Sequence, residues 1–269
     1  AMARAADLPA VVIVPASAPP AKLAQIGVFG ATLVPVDGNY DAAFALAKAA
    51  ATELGWYCRN TAYNPFTVEG KKTVSFEICE QLAMALGERG FRAPDRIYVS
   101  VGDGNIITGV HKGLRDLFDS GRIDRMPRLF GAQSLGSAAI SNAFAAGADV
   151  VAPVSAATVA DSIAADAPAD GWRALRAVRE TGGAMLTVSD EAIIAAIAEL
   201  GRRAAVFAEP AAAAAFAALV THSDDIEPDE EVVLLSTGNG LKDVAAASRA
   251  VAIPAAIAPD VAALADFVS

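Results

Sequence analysis

One stretch decides the fold of this chain: Ile97-Tyr98-Val99-Ser100-Val101-Gly102-Asp103-Gly104-Asn105-Ile106-Ile107-Thr108-Gly109. Its apolar part predicts a buried strand over Arg96–Ser100, and a helix over Ile106–Asp119 follows the glycines. Glycine allows the sharp turn between them, and the unpaired N–H groups that begin a helix attract an anion. The stretch therefore predicts a strand, a turn and a helix, with an anion site at the turn. A turn of this shape that binds no ligand fits these residues equally well.

The spacing of the glycines separates this turn from two common nucleotide-binding motifs. The dinucleotide fingerprint is G-x-G-x-x-G, whereas Gly102, Gly104 and Gly109 form G-x-G-x-x-x-x-G. The next strand, around residues 129–133, lacks the acidic residue that follows such a motif. Lys112 lacks the G-K-[ST] context of a Walker A loop. The turn therefore favours a simple phosphate monoester over NAD or ATP, and we expect Gly109 to bring the helix close to the sheet.

Strands and helices alternate along the chain. The predicted strands are Val11–Val14, Thr32–Pro35, Trp56–Cys58, Arg96–Ser100, Arg128–Gly131, Met185–Val188 and Val232–Leu235, and the longer predicted helices are Asp41–Leu54, Lys72–Leu86, Ile106–Asp119, Ser137–Ala146, Gly171–Glu180, Glu191–Leu200 and Ala211–Val220. Apolar strands separated by helices are typical of parallel sheets covered on both faces, so the fold class is α/β. A break near Asn60–Gly70 divides the chain into a small βα unit, residues 1–63, and a larger unit, residues 64–269.

The composition limits the classes of function. The 269 residues carry a net charge of −10, which argues against nucleic-acid binding because phosphate neutralisation needs a basic surface. Two cysteines and two histidines are too few for a structural zinc site or a histidine-rich metal centre. The alanine-rich runs are shorter than the roughly 20 apolar residues of a membrane-spanning helix. We therefore expect a cytoplasmic enzyme that binds no nucleic acid, membrane or metal and takes its chemistry from a cofactor.

Three segments carry a more specific signal than the turn alone. The first is Asn64–Ile78, which begins Asn-Pro-Phe-Thr-Val-Glu-Gly-Lys-Lys-Thr; the second is the glycine turn; the third is Leu235–Asp243, Leu-Ser-Thr-Gly-Asn-Gly-Leu-Lys-Asp. In this order they resemble threonine synthase and its relatives, pyridoxal-phosphate (PLP) enzymes of the tryptophan synthase β-like fold, also called fold type II. The resemblance implies parallel sheets flanked by helices, a large PLP-binding domain with part of a small one, and a possible homodimer.

The resemblance also implies roles for individual residues. Five residues of the turn would hold the PLP phosphate through backbone amides: Gly102, Asp103, Gly104, Asn105 and Ile106. The hydroxyl of Thr237 would meet the pyridine nitrogen, although a hydroxyl that caps a turn is an alternative explanation. Asn60, Thr61 and Asn64 fall where the family is expected to contact a small amino-acid substrate. For these three residues a structural role in a turn is an equally good explanation.

Two residues and one segment depart from the family pattern. Many threonine synthases have an arginine where this chain has Thr67 and an asparagine where it has Gly102, which weakens the case for O-phosphohomoserine as the substrate. The family's Schiff-base lysine lies in a Ser-x-Lys-Asp-like segment that the sequence lacks, so no catalytic residue is assigned, and Ala1–Asp7 is expected to end a helix of a longer protein.

Three hypotheses of function follow from the sequence. The first is a threonine synthase-like lyase or synthase that acts on an amino acid by elimination and replacement. The second is a serine/threonine ammonia-lyase or another β-replacement enzyme of the same fold. The third is a truncated pseudoenzyme without the Schiff-base lysine.

Overall fold

The chain forms two parallel sheets with helices packed around them. The structure is a computed structural model and describes residues 1–268. The strands are β1 (Val11–Pro15), β2 (Thr32–Val36), β3 (Arg96–Ser100), β4 (Arg128–Ser134), β5 (Ala184–Val188) and β6 (Val232–Leu235). The α-helices are α1 (Met2–Ala5), α2 (Pro20–Val28), α3 (Tyr40–Glu53), α4 (Phe66–Lys71), α5 (Thr73–Ala85), α6 (Asn105–Asp119), α7 (Ala139–Ala145), α8 (Gly171–Glu180), α9 (Asp190–Ala204), α10 (Pro210–Thr221), α11 (Val244–Ala247) and α12 (Val261–Val268). In this described part of the chain, no helix combines the length and apolar character needed to cross a membrane.

The larger sheet has the strand order β5-β4-β3-β6, and all neighbouring strands are parallel. The central strand β3 is buried along its whole length. Val99 of β3 pairs with Gly131 of β4 and with Leu235 of β6, so the carboxyl ends of three strands lie at one edge of the sheet. The glycine turn leaves β3 at this edge, where ligands commonly bind in α/β folds.

Helices cover both faces of the larger sheet. On one face, Ile97 and Val99 belong to the same apolar cluster as Leu114 of α6. On the other face, α10 packs against β3, and the Ser100 hydroxyl accepts a hydrogen bond from the N–H of Ala215 at 3.0 Å. The buried strands have no polar face because both sides are covered. The α/β class with parallel sheets flanked by helices is therefore confirmed.

The smaller sheet contains only β1 and β2, which are parallel, and α3 packs against β1. The predicted strand at Trp56–Cys58 is wrong, because within residues 1–268 no strand pairs with this segment. A strand needs a neighbour to satisfy its backbone groups. Here the carbonyl of Cys58 instead accepts a hydrogen bond from the Asn64 amide at 3.0 Å. The division of the chain after residue 63 stays a prediction.

Gly109 lies at a contact between helices, so the role expected for it toward the sheet is wrong. A Cβ atom on Gly109 would lie 2.6 Å from the Cβ atom of Lys71 at the end of α4. Further along α6, a Cβ atom on Gly113 would overlap the Lys72 carbonyl and lie 2.8 Å from the Ser75 Cβ atom. Both glycines allow α4 and α5 to pack on the backbone of α6. This packing places Lys71 beside the start of α6.

Candidate functional site

The turn between β3 and α6 forms a tight cradle. Gly104 has a φ of +90°, a backbone conformation that side chains disfavour. A Cβ atom on Gly104 would lie 2.9 Å from the carbonyl oxygen of Asp170, and one on Gly102 would lie 2.8 Å from the Cα atom of Ile163. Both positions therefore require glycine. At Gly104 the reasons are the positive φ and the nearby atoms, whereas at Gly102 the reason is the nearby atoms alone.

The backbone of this cradle presents unpaired N–H groups. The first turn of any helix leaves its N–H groups without helical acceptors, and α6 begins at Asn105. Across the described residues, the N–H groups of Gly102, Asp103 and Gly104 also donate to no main-chain carbonyl. The dipole of the 15-residue helix α6 adds positive potential at the same point. These donors together suit an anion such as a phosphate.

A cavity of about 350 Å³ opens in front of the cradle, a volume suited to a small ligand. Residues beyond position 63 contribute one wall, which includes the cradle residues, Lys71 and residues 161–165. The first 63 residues contribute the opposite wall, which consists of Pro15, Ala18, Lys22, Tyr40 and Thr61. The cavity therefore lies between the two sheets, and side chains from both surround it.

Two side chains tie the small sheet's helices to the rim of the cavity. The hydroxyl of Tyr40 donates a hydrogen bond to Asp103 Oδ2 at 2.6 Å. Burial and the negative charge of Asp103 raise the pKa of Tyr40, so this hydroxyl stays protonated. The ammonium group of Lys22 donates to Asp161 Oδ2 at 3.0 Å and to Ser162 Oγ at 2.6 Å. The polar side chains of Asp103, Asp161 and Ser162 at the rim are therefore hydrogen-bonded to other residues of the protein.

Lys71, which no sequence motif marks as a site residue, also lines the cavity. Its Nζ atom donates to Asn105 Oδ1 at 2.5 Å, and Asn105 Nδ2 donates to Asp170 Oδ2 at 2.8 Å. Burial and the positive charge of Arg59 lower the pKa of Lys71. No sequence pattern distinguishes Lys71 from the adjacent Lys72, because only the packing of α4 on α6 decides which lysine faces the cavity.

The structure brings the five predicted cradle residues together and separates Thr237 from them. All five line the cavity: Gly102, Asp103, Gly104, Asn105 and Ile106. Thr237 follows β6 at the same edge of the sheet, but its side chain is exposed and does not line this cavity. The cofactor roles of all six residues stay predictions.

Of the three predicted substrate residues, only Thr61 lines the cavity at the cradle. Asn60 lines a neighbouring cavity of about 410 Å³ beside β1. Asn64 is buried, donates to the Tyr57 hydroxyl at 2.7 Å and accepts from the Phe66 N–H at 3.0 Å. These bonds favour the structural explanation for Asn64, which holds the turn that leads into α4. The substrate roles of the three residues stay predictions.

Comparison with known sequences gives a family and several relatives. A model of the family described as pyridoxal-phosphate dependent enzyme matches residues 1–238. Threonine synthase of Methanocaldococcus jannaschii is 38% identical over 232 residues, which cover 85% of this chain and 55% of that protein. Threonine synthase of Methanosarcina acetivorans is 38% identical over 242 residues, which cover 88% of this chain and 58% of that protein. The chain therefore spans little more than half the length of these relatives.

Two enzymes illustrate the solved structures that share this fold. The L-serine ammonia-lyase of Rhizomucor miehei has a TM-score of 0.75 at 22% identity, over 92% of this chain and 75% of that one. Threonine deaminase isoform 2 of Solanum lycopersicum has a TM-score of 0.72 at 19% identity, over 91% of this chain and 66% of that one. At these identities the likeness concerns the fold, and it confirms the fold class expected from the sequence.

Proposed function

Because this chain belongs to the family of pyridoxal-phosphate dependent enzymes, we propose that its cradle binds pyridoxal 5'-phosphate. The unpaired N–H groups at the start of α6 carry this proposal, since they are placed to receive a phosphate. The glycines fit the same group, because side chains at Gly102 or Gly104 would disturb the backbone that presents those donors. When bound, this cofactor withdraws electrons from the Cα atom of an amino acid.

We further propose that the chain is part of a threonine synthase-like lyase or synthase, with O-phosphohomoserine as a substrate and threonine as its product. The identity of 38% to two threonine synthases supports this activity. Asn60, Thr61 and Asn64 are the proposed substrate contacts, and Thr237 is the proposed partner of the pyridine nitrogen. A neutral hydroxyl at that nitrogen limits electron withdrawal compared with a carboxylate, which suits elimination and replacement.

One residue favours ammonia-lyase activity as a second candidate. The hydroxyl of Thr67 donates to the carbonyl of Asn64 at 2.7 Å and is buried, so it is engaged within the protein. Threonine also lacks the positive charge that an arginine at this position would offer to a substrate phosphate. An ammonia-lyase that acts on threonine or serine needs no such group.

We also propose a homodimer in the cytoplasm and a boundary between the two units at residues 63 and 64.

Product analysis separates the two activities. The protein is incubated with PLP and, in separate reactions, with O-phosphohomoserine, L-threonine and L-serine. Threonine and inorganic phosphate from O-phosphohomoserine would support the synthase, whereas 2-oxo acids and ammonia from threonine or serine alone would contradict it and support the lyase.

The cofactor proposal has its own test in equilibrium dialysis with PLP. The variant Gly102→Ala is expected to weaken binding because its Cβ atom meets Ile163, and the control Gly27→Ala, which meets no atom within 4 Å, is expected to bind as the wild type does. Equal affinity of all three proteins for PLP would contradict the proposal that the cradle binds the cofactor.

A further inference from the structure

Lys71 is the lysine of the cavity wall that has no carboxylate partner. Within residues 1–268, no Asp or Glu oxygen lies within 4.0 Å of its Nζ atom. The adjacent Lys72 differs, since it pairs with Glu69 at 2.6 Å and with Asp116 at 3.0 Å. A half-buried ammonium group without a counter-ion loses part of its hydration and gains no ion pair in exchange. Such a group is stabilised when an anion enters the cavity.

The amide of Asn105 fixes the position of this ammonium group. Its Nδ2 atom donates to the fully buried carboxylate of Asp170, which Arg173 also holds at 2.9 Å. Because the donor end of the amide is bonded to Asp170, its oxygen is the end that accepts from Lys71. The ammonium group is thereby held next to the first residue of α6, which directly follows the unpaired N–H groups of Gly102–Gly104.

Asp103, a carboxylate of the cavity wall, already accepts hydrogen bonds at both oxygens. Its Oδ2 atom accepts from Tyr40 at 2.6 Å and its Oδ1 atom accepts from the N–H of Ala169 at 3.3 Å. Lys71 keeps two of its three N–H donors for a ligand, because its hydrogen bond to Asn105 uses one.

We propose that Lys71 is a charged ligand of the cofactor phosphate, acting beside the backbone amides of the cradle. This inference rests on the proposed function, since the phosphate is that of the cofactor bound at Gly102–Ile106. The backbone donors carry no formal charge, and Lys71 adds one positive charge for a dianionic group. A substrate phosphate bound elsewhere would leave the cofactor's affinity independent of Lys71.

The test compares a phosphorylated probe with its unphosphorylated form. Pyridoxamine 5'-phosphate and pyridoxamine lack an aldehyde, so no lysine can bond to them covalently, and their dissociation constants are measured by calorimetry. Lys71→Gln is expected to weaken binding of pyridoxamine 5'-phosphate by about 10-fold or more, the loss of a charge-assisted hydrogen bond, and to change pyridoxamine binding by less than about 2-fold. Lys71→Arg should keep most of the affinity, and Lys72→Gln is the control with the same change of charge.

Each outcome has one meaning. If the wild type binds neither probe, the proposed function and this inference both fail. If the wild type prefers the phosphorylated probe and Lys71→Gln keeps that preference, only this inference fails. Circular dichroism and thermal unfolding verify that each variant is folded; if Lys71→Gln is unfolded, Lys71→Arg and Lys71→Met are compared in the same way. A second measurement is the rise in melting temperature that inorganic phosphate causes. This rise should be smaller in Lys71→Gln than in the wild type, because the variant lacks the positive charge.

Discussion

The carboxylate of Asp170 accepts a hydrogen bond from the amide of Asn105 at 2.8 Å, although Asp170 is completely buried. Asp170 precedes α8 and Asn105 begins α6, so this bond joins two helices at the floor of the cradle. The N–H of Asp170 also donates to the carbonyl of Asp103 at 2.9 Å. One side chain and its own backbone therefore hold both the turn and the helix that follows it.

Replacing Asp170 tests the strength of this connection. Asp170→Asn removes the charge that binds the Arg173 guanidinium and brings a second amide donor against Asn105. We expect the free energy of unfolding to fall by about 2 kcal/mol, because hydrogen bonds to a buried charged group contribute roughly 1.5–3 kcal/mol. Urea unfolding at neutral pH measures the change. Asp224→Asn removes a charge from an exposed side chain, and an equal effect of both variants would contradict the prediction.

Gly109 and Gly201 provide a matched pair within helices. Gly109→Ala places a methyl group 2.6 Å from the Lys71 Cβ atom, and overpacking of this kind costs roughly 1–3 kcal/mol. Gly201→Ala in α9 meets no atom within 4 Å, so its higher helix propensity is expected to stabilise the protein by about 0.5–1 kcal/mol. Denaturant midpoints should therefore move in opposite directions, and a stabilised Gly109→Ala would refute the close packing of α4 on α6.

Local sequence patterns predict much of this fold. The strand Val232–Leu235 and the helix Gly171–Glu180 have the bounds that their apolar runs indicate. The cradle could also be located, because a buried strand, two glycines and an amphipathic helix follow each other within one short segment. These features depend on neighbours along the chain, which the sequence contains.

Features that depend on tertiary neighbours could not be predicted in the same way. Trp56–Cys58 has the composition of a strand, but strand formation needs a partner whose position the sequence does not give. Gly109 meets α4 and not the sheet, and this depends on how two helices pack. The same packing decides that Lys71 and not Lys72 faces the cavity.

The two thiols are expected to differ in reactivity. Cys79 is fully buried, and this burial raises its pKa to about 11, whereas Cys58 is partly exposed. Thiolate is the reactive form, so Cys79 should resist modification in the folded protein. At pH 8, a disulfide reagent such as DTNB should release one equivalent of thionitrobenzoate from the native protein and two in urea. Cys58→Ser should remove the first equivalent, and rapid reaction of both thiols in the native protein would contradict the assignment.

Asp190 should make stability depend on pH. Burial acts to raise its pKa, but hydrogen bonds from the Thr158 hydroxyl at 2.6 Å, the Val159 N–H at 2.9 Å and the Ser134 hydroxyl at 2.9 Å outweigh it and hold the pKa below its usual range. A carboxyl group whose pKa is lowered by folding stabilises the protein above its unfolded pKa, about 3.9, and loses that contribution as the pH falls through the folded value. The ionised Asp190 therefore stabilises the protein fully above about pH 5.

The variant Asp190→Asn isolates this contribution, because asparagine keeps the shape and does not titrate. The wild type should exceed it in free energy of unfolding by about 1–3 kcal/mol at pH 7, and the difference should shrink as the pH falls below about 4. Urea unfolding between pH 7 and pH 3 measures both proteins. The control is Asp229→Asn, since the exposed carboxylate of Asp229 makes no hydrogen bond or ion pair within residues 1–268. This variant should differ little from the wild type at every pH. A difference for Asp190→Asn that stays constant down to pH 3 would show that the three hydrogen bonds do not favour the ionised form, since only a preference for the carboxylate makes the advantage of the wild type depend on pH.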